Sequence, residues 1–204
     1  RVLFRSKNCL LGLPGSDESF TAEQILAALQ TYKGIDRQQL KQNLFSFLKE
    51  VVPIAEANGL QMAIHPDDPP YSVLGLPRIV SNEEDLADIV NCVNSSANGL
   101  CFCTGSLGAR PDNDIVGMID KFGDRIHFLH LRNTKRLPNG NFFEADHLDG
   151  DTDMYEVMKK VVQMRKDRIN AEKKEFKQRK INAHEADYKK ELQRSIKLQS
   201  RKCL

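Results

Sequence analysis

Met62–Pro70 reads MAIHPDDPP. Three apolar residues run into a histidine, and prolines on either side of two aspartates stop any regular element. The reading is a short buried strand, Leu60–Ile64, with His65 at its carboxyl end. The same grammar returns twice. Leu100–Cys103 (LCFC) is a short apolar run that ends in a cysteine and opens into TGSLGARPDND. Ile126–Leu131 (IHFLHL) is a third run, with His130 near its end and Arg132 just beyond.

Helical patterns separate and flank these runs. Thr21–Gln24 (TAEQ) fits a capping box, and Gly34 can close the short helix it opens. Asp36 caps a longer helix in which Leu40, Leu44, Phe47, Leu48, Val51 and Ala55 follow helical spacing. Gly59 ends it, and Pro53 is expected to kink it. Ser81–Glu84 (SNEE) is a second capping box, for a helix to about Asn94. Asn113 to about Phe122 is helical and closed by Gly123. Asp151 or Thr152 starts a last helix.

Alternation of strand and helix points to an α/β protein with parallel strands. The candidate strands end near residues 65, 103 and 130, spacings of 38 and 27. A (β/α)8 barrel averages about 31 residues per unit, and an open doubly wound sheet also fits. No G-x-G-x-x-G follows a strand to support a dinucleotide site.

Composition sets outer limits. The 204 residues are 40% apolar and 28% charged, enough for one domain with a sizeable core. No uninterrupted apolar run is long enough to cross a membrane, and Arg1–Cys9 is too short and weakly apolar for a signal peptide. The cytoplasm is the expected compartment. Five irregularly spaced cysteines argue against a disulfide framework. The segment Gln163–Leu204 holds 14 of the 30 Lys+Arg but only 6 of the 28 Asp+Glu. That break divides the chain into residues 7–162 and a basic helical tail, 163–204. Arg1–Ser6 (RVLFRS) reads as a translated sequencing adapter, so the expectation is a non-native leader and, with no first methionine, a fragment.

The chemistry rests on the strand ends. In barrels and open sheets, ligands bind at the carboxyl ends of parallel strands. Taken singly, His65, Cys103 and His130 each have an ordinary structural reading. At equivalent ends of successive units they would converge on one point, as a divalent cation requires. On an extended strand Ile126, Phe128 and His130 share a face and His127 points away. Cys103 lies nearer the mouth than Cys101, which is left as a wall residue. Arg78 and Arg132 in the following loops suit a carboxylate substrate, through the guanidinium fork. Glu144 and His147 lie in the loop FFEADHLDGD.

HPDDPP with GLPRIV, then FCTGSLGARPDND, HFLHLRN and FEADHLDGDTDMYEV, resemble the mannonate dehydratase family in that order. LGLPG and the Asp36–Gly59 helix resemble it too, so the likeness spans about Leu10 to Val162. It implies an incomplete TIM barrel of xylose-isomerase-like type and a hydro-lyase that converts D-mannonate to 2-keto-3-deoxy-D-gluconate in glucuronate catabolism. It implies Mn²⁺ or Fe²⁺ on His65, Cys103 and His130, and it allows a homo-oligomer. Arg132 would stabilise the developing enediolate. His147 is an acid–base candidate or, preferably, a substrate contact. Asp67 and Asp68 either orient His65 or cap the turn.

The family's fourth ligand, an aspartate in an RPDHGH-type segment, has no counterpart here. The expectation is weak metal binding and little turnover by this chain alone. Two other readings stay open: a metal-dependent sugar isomerase or epimerase on the same barrel, and a non-enzymatic fragment whose tail binds an acidic partner. Nucleic acid is not expected, since only Phe176 and Tyr188 in the tail are aromatic.

Overall fold

The computed structural model describes the backbone of residues 21–200 and the side chains of residues 21–193. The leader at Arg1–Ser6, the LGLPG stretch, Cys9 and Cys203 lie outside the described residues. The order is α1 (Ala22–Thr31), α2 (Arg37–Ala57), α3 (Glu83–Cys92), β1 (Leu100–Cys103), α4 (Thr104–Gly108) and α5 (Ile115–Phe122). A 3-10 turn, β2 (Ile126–His130), β3 (Asn133–Arg136), β4 (Phe142–Ala145) and α6 (Met154–Ser200) follow. The chain divides into two compact units. The first holds residues up to Asn113 together with Asp124–Thr152, and the second holds Asp114–Gly123 together with Asp153 onward.

In the first unit the helix signals hold with small shifts. Thr21 and Gln24 form the reciprocal capping box that opens α1. Asp36 caps α2 by accepting from the Gln39 N–H at 2.7 Å. Pro53 lies inside α2 without ending it. Gly59, at φ +67°, takes the left-handed turn that closes it, and the Leu60 N–H returns to the Ala55 carbonyl at 2.9 Å. The cap of α3 is Asn82, one residue after Ser81, because Asn82 accepts from the Asp85 N–H at 2.9 Å. Asp85 reaches back to the Ser81 N–H and hydroxyl at 3.1 and 3.0 Å.

That backward reach places a carboxylate in the interior, where it must be paired. Asp85 is fully buried between α2 and α3, bonded to Arg37 and, at 3.1 Å, to Lys41. Lys41 also meets Asp88 at 2.7 Å. Burial alone would push the Asp85 carboxyl up; Lys41, the Ser81 N–H and Arg37 outweigh it and hold it below the usual range. The apolar faces of the two helices bury Leu48, Val52, Ala55, Leu86, Ile89 and Val90.

β1 and β2 pair in parallel, with Cys101 opposite Phe128 and Cys103 opposite His130. The register shifts after Leu100, which leaves His127 without a ladder partner. The expected strand Leu60–Ile64 needs correction. It forms one parallel bridge, Ile64 to Leu100, although Met62 and Ile64 donate to Ala97 and Gly99 at 2.8 and 3.0 Å. It is also not buried, since Leu60 is 62% exposed. Among the described residues this segment is hydrogen-bonded in a ladder on its β1 side alone.

Two elements have no counterpart in the sequence reading: the single-turn helix α4 and the antiparallel hairpin β3–β4, with Asn133 opposite Ala145. A closed barrel is not formed by the described residues; what they establish is the α/β class with parallel strands.

In the second unit, Ile115, Met118, Ile119 and Phe122 give α5 one buried apolar face. Its cap is Asp114, one residue past the expected Asn113 start. Gly123 ends it with a right-handed φ of −46° and leads into the 3-10 turn. The last helix starts at Met154, later than expected, because Asp153 accepts from the Tyr155 and Glu156 N–H groups, both at 3.1 Å. Lys160 pairs with Asp120, and Arg168 donates to the Gly123 carbonyl at 2.5 Å. The change to basic composition at Gln163 falls inside this continuous helix. No helix among the described residues is long and apolar enough to cross a membrane.

Candidate metal centre

The three segments that end in His65, Cys103 and His130 lie side by side. One donor atom from each falls within 4.8 Å of the others. His65 Nε2 is 3.3 Å from His130 Nδ1. Cys103 is fully buried, whereas both histidines are exposed at the mouth. His65 Nδ1 lies 2.7 Å from the Pro66 carbonyl. Donation there fixes the tautomer that leaves a lone pair on Nε2, as a ligating histidine needs. Two imidazoles and a thiol converging in this way match the donor set of a first-row divalent cation.

Neighbouring residues are accounted for by other contacts. His127 turns away, with Nδ1 2.6 Å from the Met62 carbonyl. Cys101 is a buried wall residue whose thiol is pushed up by burial and then by Cys103. Cys92, Cys101 and Cys103 are free. Asp67 accepts from the Ile79 and Val80 N–H groups at 2.9 and 2.8 Å, and Asp68 pairs with Arg132 at 2.5 Å. The aspartates therefore tie down loops, and His65 is oriented by Pro66 instead.

Arg132 is held more tightly than its sequence position suggests. Nε donates to both oxygens of Glu144 at 2.8 and 3.1 Å, and Nη1 donates to Asp68 and, at 3.3 Å, to Ser106 Oγ. Burial works against its charge, but the two carboxylates more than compensate and drive its pKa upward. Nη2 has no hydrogen bond among the described residues. Arg78 donates to the Tyr71 carbonyl at 3.3 Å and faces Asp67 at 3.7 Å. His147 is exposed in the loop after β4, with Nε2 3.2 Å from the Leu131 carbonyl, next to His130.

The sequence CTGS builds the floor of this cluster. Cys103 Sγ caps α4, accepting from the Ser106 N–H at 3.4 Å and the Ser106 hydroxyl at 3.2 Å. Thr104 Oγ1 donates to the Arg132 carbonyl at 2.6 Å and accepts from its N–H at 2.9 Å. Gly105 is required by proximity, since a Cβ there would lie 2.7 Å from Arg132 Cβ. Ser106 and Asn133 are neighbours of the candidate site that the sequence reading missed. Asn133 is buried and bonds the carbonyls of His147 and Thr152 at 2.8 and 2.9 Å. A Ser three residues after a candidate ligand Cys, on a helix start, is the signal that could have found Ser106.

Parallel strands with a His/Cys/His cluster at their carboxyl ends define an α/β protein with a candidate cation site. The family model for D-mannonate dehydratase (UxuA) matches residues 3–186, and the chain belongs to that family. A mannonate dehydratase from Saccharophagus degradans is 53% identical over 148 residues, covering 72% of this chain and 37% of that protein. One from Marinomonas sp. is 52% identical over 153 residues, covering 74% and 39%. The crystal structure of mannonate dehydratase from Streptococcus suis serotype 2 aligns with a TM-score of 0.64 at 39% identity, covering 68% of this chain and 41% of that one. The chain spans less than half the length of these relatives.

Proposed function

We propose that this chain carries part of the active site of a D-mannonate dehydratase built on a TIM barrel in the cytoplasm. The observation that carries the reading is the convergence of His65, Cys103 and His130 in a chain of that family. These three residues would hold one divalent cation, Mn²⁺ or Fe²⁺. Such a cation supplies Lewis-acid stabilisation of negative charge on substrate oxygens.

The reaction is a β-elimination of water. A base takes the C2 proton, the C3 hydroxyl leaves with a proton from an acid, and the enol tautomerises to the 2-keto acid. Arg132 would offer Nη2 to one substrate oxygen as negative charge develops, because its other edges are committed to Asp68, Glu144 and Ser106. Arg78 is the second carboxylate contact. His147, exposed beside the end of β2, would contact the substrate hydroxyls or move a proton.

The test is product analysis. The 204-residue chain is supplied with Mn²⁺ and D-mannonate, and products are resolved by mass. Slow, metal-dependent formation of a product lighter by one water, lost in His130→Ala, is expected. A product of unchanged mass would favour an isomerase and contradict the dehydratase reading.

A further inference from the structure

We propose that Ser106 is a positioning residue for the cation site, acting through the sulfur of Cys103. The proposal rests on the metal reading above and concerns what aims the buried ligand. His65 and His130 are exposed, but Cys103 is fully buried and its sulfur is also a helix cap. Among the described residues both donors to that sulfur come from Ser106: the backbone N–H at 3.4 Å and the hydroxyl at 3.2 Å.

A serine hydroxyl can rotate, so its proton needs an anchor. Arg132 supplies it. Nη1 donates to Ser106 Oγ at 3.3 Å, which occupies a lone pair and turns the hydroxyl proton toward sulfur. The resulting chain runs from the guanidinium to the Ser106 hydroxyl to Cys103 Sγ. Arg132 is itself fixed from both sides, by Asp68 beyond His65 and by Glu144 on β4. Thr104 pins its backbone twice, and only a glycine at 105 lets α4 come this close. The four residues of CTGS thus have distinct tasks: ligand, anchor, clearance and aim.

Two hydrogen bonds from one residue fix the direction in which the sulfur presents its remaining lone pairs. Losing such a partner of a ligand costs about 10–100-fold in metal affinity. The test is titration of Co²⁺ into the full chain, read by the near-ultraviolet thiolate-to-cobalt charge-transfer band and by calorimetry. Wild type, Ser106→Ala and Cys103→Ser are compared, with thermal unfolding of each metal-free protein.

Wild type is expected to show the band and Cys103→Ser to lack it. Ser106→Ala is expected to fold, bind Co²⁺ at least about 10-fold more weakly and shift the band. Ser106→Gly, which keeps the backbone donor, gives the same readout if the alanine variant does not fold. An unchanged affinity and spectrum in a folded Ser106 variant would overturn the positioning role and leave the metal site standing. No band in wild type would overturn both.

Discussion

His65 Nε2 and His130 Nδ1 face each other at 3.3 Å across 65 residues of sequence. With His65 Nδ1 engaged by the Pro66 carbonyl, the facing nitrogen is an acceptor. The proposed cation would replace this hydrogen bond, with each ring turning a lone pair to it. If it binds only the folded state, it would stabilise by about 2.7 kcal/mol at one hundred times its Kd. For a chain of this size that raises the melting midpoint by roughly 5–10 °C. Differential scanning calorimetry with Mn²⁺, then with a chelator, is expected to show this gain and its reversal. The His65→Ala protein is expected to respond to neither.

The buried carboxylate of Asp85 is expected to make the stability of the first unit fall toward acid pH. Its pKa is depressed on folding, so its stabilisation is complete above the unfolded carboxylate range, near about 3.9. It is lost as the pH falls through the lower, folded value. Asp85→Asn leaves Arg37 and the buried Lys41 without their shared partner and is expected to cost about 3–5 kcal/mol at pH 7. Urea unfolding at several pH values checks both points. The difference between wild type and Asp85→Asn is expected to shrink toward acid pH.

Asn133 holds the loop that carries His147. Its amide satisfies the His147 and Thr152 carbonyls and the Thr134 and Thr152 N–H groups. Alanine leaves these groups without partners and is expected to destabilise by about 3 kcal/mol or more, since each unsatisfied buried group costs about 1–3 kcal/mol. Hydrogen exchange is expected to rise across residues 146–152, with α2 and α3 unchanged. Equal loss of protection in α2 and α3 would mean that Asn133 supports the whole unit and not this loop.

The candidate ligands were legible because each closes a short apolar run, followed by proline at His65 and glycine near Cys103, and because period-two alternation separates His130 from His127. Helix starts were legible through caps, to within one to three residues. The hairpin β3–β4 was not, because NTKR and FFEA carry no alternation that a packed face imposes; burial comes from Asn133 and Thr134, both polar. The exposure of Leu60–Ile64 was hidden for the opposite reason. Its apolar character describes what the segment can bury, and among the described residues its outer edge has no ladder partner. The commitments of Arg132 depend on Asp68 and Glu144, distant in sequence, so residue type alone showed a cation and not its partners.

The most direct measurement is calorimetric titration of Mn²⁺ into the full chain and into five single variants. One site per chain is expected for wild type. His65→Ala, Cys103→Ser and His130→Ala are each expected to bind at least about 10-fold more weakly, the least that loss of even a ligand's outer partner commonly costs. Cys101→Ser and His127→Ala are expected to bind as wild type does. Affinity unaffected by the first three replacements, or reduced equally by the last two, would contradict a cation site at His65, Cys103 and His130.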